Sequence, residues 1–418
     1  MLFRKRLAVL LLLLTAVALG GSMACTRATV RADQLSSATA APVVKVSPTP
    51  APDNSITISA VGDIMLGSTN PPDRGLPPQD GALMLSEVRE LLSAADLAFG
   101  NLEGPMLEGG TSSKCGPKSR KCYAFRVPTR YGKYLKEAGF DIMSLANNHA
   151  SDFGLEGRQS TRRVLDQQGI AHAGADFNDI AYLDVKGRRL GVIAFATNSI
   201  SYNANDLVAA RNVVARVAAK ADIVIVSFHA GAEGLTAQHV PYGTEIFLDE
   251  KRGDLRAFAR TVVDAGADLV LGHGPHVVRG MEVYKNRLVA YSLGNFAFYG
   301  FPFNGPTGLS LILDAQLGAD GAFQGGRVHP LIQHEQDGPR PDPNATIIPI
   351  LRQLSNEDFG HSAARINTDG TISRQEKVKR QKVKARVWGK PPLIKKPASP
   401  HFCLLPSLFH LLCRLVLC

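Results

Sequence analysis

Six residues of metal-binding type stand behind apolar stretches of the chain. Asp63 follows residues 56–61, Glu103 follows 96–100, Asn148 follows 140–146, His229 closes 223–228, and His273 and His276 follow 268–272. Two carboxylates, one amide oxygen and three imidazoles make a mixed oxygen and nitrogen donor set suited to Mn, Fe or Zn, without the thiolates of a structural zinc site. Such a set suggests a centre for two divalent metal ions. Singly, each piece has an ordinary use: Gly62-Asp63 as a turn, Asn147 or Asn148 as a helix cap, His229 as a hydrogen-bonded core histidine, His276 as a flank of Pro275. Position separates them from those uses, because all fall at the same end of successive strands, where open α/β sheets bind their ligands. His172, His239, His329, His334 and His361 lack that placement and read as ordinary histidines.

The elements that must carry these residues alternate in type. Apolar runs predict strands over 56–61, 96–100, 140–146, 190–197, 222–229, 268–272 and 288–293, followed by 308–315. Amphipathic spacing predicts helices over 84–94, 130–138, 156–168, 207–219 and 255–265. Hairpins are expected around Lys186-Gly187 and Lys285-Asn286. Strand and helix in alternation, with late hairpins, imply an α/β layered domain with a mixed sheet over residues 55–373.

Composition narrows the function. A chain of 418 residues, 45% hydrophobic and 20% charged, buries a large core, which excludes a mini-protein or a disordered chain. Its 47 Lys and Arg against 37 Asp and Glu give a net charge of +10, a balance that ordinarily raises nucleic acid as a partner. The excess is local: residues 374–418 carry +10 and residues 1–24 carry +3, leaving −3 for the stretch between. Charge therefore gives no support to nucleic-acid binding, and an anionic substrate must be held by metals and a few local side chains.

The ends of the chain read differently from its middle. Arg4-Lys5-Arg6, an uncharged run from Leu7 and small residues up to Cys25 form an export signal. Cleavage, lipidation at Cys25 and retention as an anchor over 1–24 all stay open, with 25–54 as an Ala/Thr/Pro-rich linker. The expected location is outside the cytoplasm, tethered at the cell surface or periplasmic, with membrane contact only through the N-terminus. Residues 374–418 turn basic and then hydrophobic; Pro406 and Arg414 make that end a poor membrane span, and it reads as a disordered tail without function. In an exported chain, Cys115 and Cys122 around Gly116-Pro117 are expected to form a disulfide rather than a metal site.

The series GDIMLG (62–67), GNLEGP (100–105), LANNHASDFG (145–154), SFHAGAE (227–233), GADLVLGHGPH (266–276) and YSLGNFAF (291–298) resembles the CapA family of poly-γ-glutamate capsule synthesis proteins. That family is similar in turn to calcineurin-like metallophosphoesterases. The resemblance implies a four-layer αββα sandwich with a dinuclear site on its loops. It implies Asp63 and His276 on the first metal, Glu103 bridging, and Asn148, His229 and His273 on the second. His149 matches the histidine that protonates a leaving group or stabilises developing negative charge. Where the phosphoesterases carry Asp-x-His in the first motif, this chain has Met65, a thioether and a poor ligand for hard cations. Arg126 resembles a position near the site and is a candidate for binding an anionic substrate, or a surface ion-pair partner. Asn147 and Glu233 are candidates for orienting ligands, with helix capping or helix entry as their alternatives, while Ser292, Asn295 and Phe296 read as pinning the turn after a strand.

Two functions follow. One is an exported metal-dependent hydrolase acting on a phosphoester or on an amide or ester of a cell-envelope polymer. The other is a non-catalytic component of poly-γ-glutamate assembly or export that binds the anionic polymer, with a membrane synthesis complex as its partner.

Overall fold

Residues 56–65 have apolar side chains for both of their faces, as a strand in the middle of a buried sheet requires. In the computed structural model, which describes residues 54–70, 75–115, 122–334 and 336–374, they form β1 (Ile56–Met65). The expected signal segment or anchor, the linker before residue 54, Cys25 and the tail after residue 374 lie outside the described residues. Among the described residues no helix is long and apolar enough to cross a membrane.

Parallel to β1 run β2 (Leu97–Leu102), β3 (Ile142–Ser144) and β4 (Ala171–Ala173), in that spatial order. The chain then builds a second sheet from β5 (Ala181–Val185), β6 (Arg188–Ala196), β7 (Tyr202–Asn203), β8 (Ile223–His229), β11 (Leu269–His273), β12 (Met281–Tyr284) and β13 (Arg287–Ala290), with a separate hairpin of β9 (Glu245–Phe247) and β10 (Glu250–Gly253). It returns to the first sheet with β14 (Asn295–Phe298), β15 (Leu309–Leu317), β16 (Phe323–His334), β17 (Gly338–Pro341), β18 (Arg365–Ile366) and β19 (Thr371–Ser373).

The two sheets face each other across one core. Ile56, Ile58 and Ala60 of β1 and Phe99 of β2 cluster there with Val192 of β6, Ile225 of β8 and Leu271 of β11. The outer face of the first sheet packs on α1 (Arg89–Ser93), α2 (Gly132–Glu137) and α3 (Gly154–Gln168) through Leu92, Leu135 and Leu165. The outer face of the second packs on α4 (Leu207–Ala218) and α5 (Leu255–Asp264) through Val213, Val217, Phe258 and Val262. Asp206 and Asp254 cap these two helices by accepting from the backbone N–H three residues on. Helix, sheet, sheet and helix make the four-layer αββα sandwich expected. A sixth helix, α6 (Ile347–Phe359), closes one end of the inter-sheet core with Ile347, Ile348 and Leu351.

β1 and β2 run beyond their expected ends, to Met65 and Leu102, and this places the polar residues. β1 continues to Met65 because β14 pairs alongside it in parallel, with Asp63 opposite Asn295 and Met65 opposite Phe298. Gly-Asp reads as a turn locally; the long-range pairing overrides it. Gly62 is needed for that approach, since a Cβ there would meet Gly294 O at 2.0 Å, and the next residue, Asp63, donates its N–H to the same carbonyl at 2.9 Å. We expect Gly62→Ala to cost about 1–3 kcal/mol through overpacking. Gly325→Ala, whose Cβ would meet nothing closer than 3.4 Å, should change little. Chemical denaturation of the two variants checks this, and equal midpoints would contradict it.

Candidate metal centre

Each crevice residue is delivered by a strand end. β1 brings Asp63, β2 brings Asn101 with Glu103 just past it, β8 ends on His229, and β11 ends on His273 with His276 three residues on. The loop after β3 brings Asn147, Asn148 and His149. Ligand atoms of Asp63, Glu103 and His229 all lie within 4.8 Å of one another, and all three residues are buried. Glu103 Oε1 is 3.7 Å from His276 Nε2 and 3.9 Å from both His229 Nε2 and His149 Nε2. Those separations are too long for hydrogen bonds, and the ones to His276 and His229 suit donors that share a cation about 2 Å from each.

Three atoms of the group are buried without a hydrogen-bond partner: Glu103 Oε2, Asn148 Oδ1 and His229 Nε2. A buried polar atom left unpaired costs about 1–3 kcal/mol, and more when charged. Two of them, Glu103 Oε2 and His229 Nε2, belong to residues whose ligand atoms cluster within 4.8 Å, an arrangement that fits a divalent cation.

The surroundings orient the ligands. Asp63 Oδ1 accepts from Asn101 Nδ2 at 2.8 Å, and Oδ2 lies 3.3 Å from both Gly274 N and His276 Nδ1. His276 Nδ1 also donates to Asn295 Oδ1 at 2.9 Å, which leaves Nε2 toward Glu103. The backbone of His276 is left-handed, with φ of 59°, a strained conformation for a residue with a Cβ and one that collects at functional sites. Glu233 approaches His276 Nε2 to 4.0 Å and is held by the buried Arg252 at 2.6 Å. Asn147 donates to Leu102 O at 2.8 Å and accepts from His149 N at 3.1 Å, tying the loop after β3 to β2.

His149 is set by a carboxylate. Its Nδ1 lies 2.7 Å from Asp152 Oδ2, and a carboxylate only accepts, so Nδ1 carries the proton and Nε2 faces Glu103. Asp152 is 1% exposed and also accepts from Phe125 N at 2.7 Å.

Other candidates are placed elsewhere or held. His273 Nε2 donates to Val61 O at 3.1 Å, and its Nδ1 faces Ser227 Oγ at 3.4 Å, so its ring is engaged by backbone and hydroxyl rather than drawn into the group. Arg126 donates to Thr69 Oγ1, Gly109 O and Gly110 O and stacks on Phe153. Met65 packs with Phe125 and Phe298 in a small apolar cluster. Ser292 donates to Val277 O and Phe296 lies in the core, whereas Asn295, read from sequence as a turn residue, contacts His276. Cys115 and Cys122 are bonded, their Cα atoms 5.6 Å apart. Asn101 and Asp152 stand inside the motifs GNLEGP and LANNHASDFG without a role assigned from sequence, while Lys114 and Arg252 left no signal there.

Electrostatics follow from depth. Burial pushes the Glu103 carboxyl up to about 8, with Asp63, Glu233 and Asp152 adding to the rise and His276 opposing it. Burial also acts to raise Asp63, but the hydrogen bond from His276 and the nearby imidazoles outweigh it and hold that carboxyl below the usual range. Burial lowers His229, His273 and His149, the last against the pull of Asp152. For His276 burial is overcome by Glu103, Asp63 and Glu233, which raise it.

Residues 57–300 match the family described as "Bacterial capsule synthesis protein PGA_cap". Over 265 residues the chain is 31% identical to "Capsule biosynthesis protein CapA" of Bacillus anthracis, covering 58% of this chain and 60% of that one. Over 267 residues it is 28% identical to "PGA biosynthesis protein CapA" of Bacillus subtilis, covering 59% and 64%. The matched segment thus spans less than two thirds of either relative. Among solved structures it is similar to a 5'-nucleotidase precursor from Thermus thermophilus, at 12% identity and a TM-score of 0.37, covering 70% of this chain and 57% of that one.

A cation must displace the protons that Glu103 and His276 carry. Metal affinity should therefore rise with pH below about 8 and less steeply once Glu103 has ionised. Asn101→Ala and Asn295→Ala should each lower affinity about 10–100-fold by releasing a ligand. Calorimetric titration with Zn or Mn across that pH range checks both, and a pH-independent affinity would count against this site.

Proposed function

The chain belongs to the bacterial capsule synthesis protein family PGA_cap, and we propose that it is an exported metal-dependent hydrolase of the metallophosphoesterase type. Its substrate would be a phosphoester, or an amide or ester of an anionic cell-envelope polymer. The observation that carries this reading is the pair of unpartnered buried atoms on Glu103 and His229, in a crevice that His149 Nε2 also faces. Two divalent ions held there would supply Lewis acidity and neutralise charge on the oxygens of the transition state. Asp63, Glu103, Asn148, His229 and His276 would hold them. His149, its Nδ1 proton held by Asp152, would in the doubly protonated form present Nε2–H to the leaving group and give up that second proton there. No side-chain nucleophile is required by this scheme.

Met65 favours a second reading. It sits with Phe125 and Phe298 where the phosphoesterase pattern carries a histidine, so the first position has one imidazole fewer. A crevice poorer in ligands suits a non-catalytic component of poly-γ-glutamate assembly or export, one that binds the anionic polymer beside a membrane synthesis complex.

Hydrolysis of an aryl phosphate by the Mn-loaded chain separates the two. The hydrolase reading expects turnover, lost about 100-fold in His149→Ala with metal content unchanged. No turnover by the loaded wild type, together with normal polymer production in cells carrying His149→Ala, would sink that reading and leave the assembly role.

A further inference from the structure

The connection from β2 to α2 is long, and its described part bends back over the loop after β3. Ser112 Oγ donates to Asp152 O at 2.5 Å. Lys114 Nζ pairs with Asp152 Oδ1, donates to Asn148 O at 3.0 Å and lies 3.3 Å from His149 Nδ1. On the far side of the Cys115–Cys122 bond, Phe125 gives its N–H to Asp152 Oδ2 at 2.7 Å and sets its ring 4.7 Å from that of His149. Cys115 itself packs against the small cluster of Leu107, Ala124 and Phe153. Connections of this length without regular structure are commonly functional.

Asp152 therefore accepts from three sides: His149 Nδ1, Phe125 N and Lys114 Nζ. Taking a carboxylate that deep out of water is costly unless it is hydrogen-bonded and paired with a cation. Among the described residues, Lys114 is the only Lys or Arg that forms an ion pair with it. Lys114 adjoins Cys115, so the disulfide limits how far its backbone can move from Asp152.

We propose that Lys114, held by the Cys115–Cys122 bond, is a positioning residue for His149. It fixes the Asp152 carboxylate, and Asp152 in turn fixes the ring whose Nε2 faces Glu103. The inference rests on the reading of His149 as the proton donor, and it adds the link between the disulfide and that donor.

The test uses the full-length Zn-loaded chain. Exchange of the His149 Nδ1 proton with water is followed by NMR, the signal being assigned by its loss in His149→Ala. Lys114→Met, and separately Cys115→Ser with Cys122→Ser, should speed that exchange about tenfold or more while bound Zn is unchanged. Lys114→Arg should restore slow exchange. Aryl phosphate turnover should fall about tenfold in kcat with KM unchanged. Bound Zn and a cooperative unfolding transition show that exchange in Lys114→Met is read on a folded chain, and Lys114→Arg, which keeps a cation beside the buried Asp152, is the folded control. Wild-type exchange in Lys114→Met overturns the proposal. Absence of turnover in the wild type would instead remove the hydrolase reading, and the exchange rates would still decide the positioning role.

Discussion

The burial of Asp63 and Glu103 within reach of His229, His149 and His276 is the constraint on which the rest of this structure depends. Two carboxylates at that depth cannot both stay ionised without positive charge close by. Part of the balance is met by protons, which is why Glu103 and His276 both titrate high. A divalent cation would meet it more completely, and Glu103 Oε2 and His229 Nε2 are already desolvated for one. The surrounding architecture serves this arrangement: β14 slots beside β1, Gly62 permits the contact, and His276 takes a left-handed backbone.

The crevice has two sides with different partners. On one, His276 is turned by Asn295 and flanked by Glu233, which Arg252 holds. On the other, His149 is turned by Asp152, which Lys114 and Phe125 hold. The aromatic cluster that includes Met65 walls both, since Phe298 lies 5.5 Å from the His276 ring and Phe125 4.7 Å from the His149 ring. An apolar wall lowers the local dielectric and strengthens every charge interaction beside it. Met65 thus contributes to the enclosure of the site, in a position where a ligand was to be looked for.

Much of the fold was legible because the relevant signals are local. Ile56, Ile58 and Ala60 alternate, α4 and α5 show helical spacing behind an Asp cap, and both expected hairpins form. Legibility failed where pairing partners are distant in sequence. The parallel addition of β14 to β1 and the pairing of β19 with β16 are such cases, and α6 packs on a surface that only the assembled sheets create, whereas β15–β16, β16–β17 and β18–β19 are local pairings for which no hairpin was expected. The same division holds in the site. Strand-end position pointed to Asp63, Glu103 and His229, which do converge. It could not show that the Nε2 proton of His273 goes to Val61, that Arg126 is held by Thr69 and the carbonyls of Gly109 and Gly110, or that Lys114 reaches Asp152.

X-ray absorption at the metal edge of the Zn-loaded full-length chain tests the central claim most directly. A shell of nitrogen and oxygen neighbours near 2.0–2.1 Å with imidazole scattering, lost in Glu103→Gln, is the predicted result. No bound metal after equilibration with excess Zn, or a sulphur-containing shell untouched by Glu103→Gln, would contradict the assignment of this crevice as the metal centre.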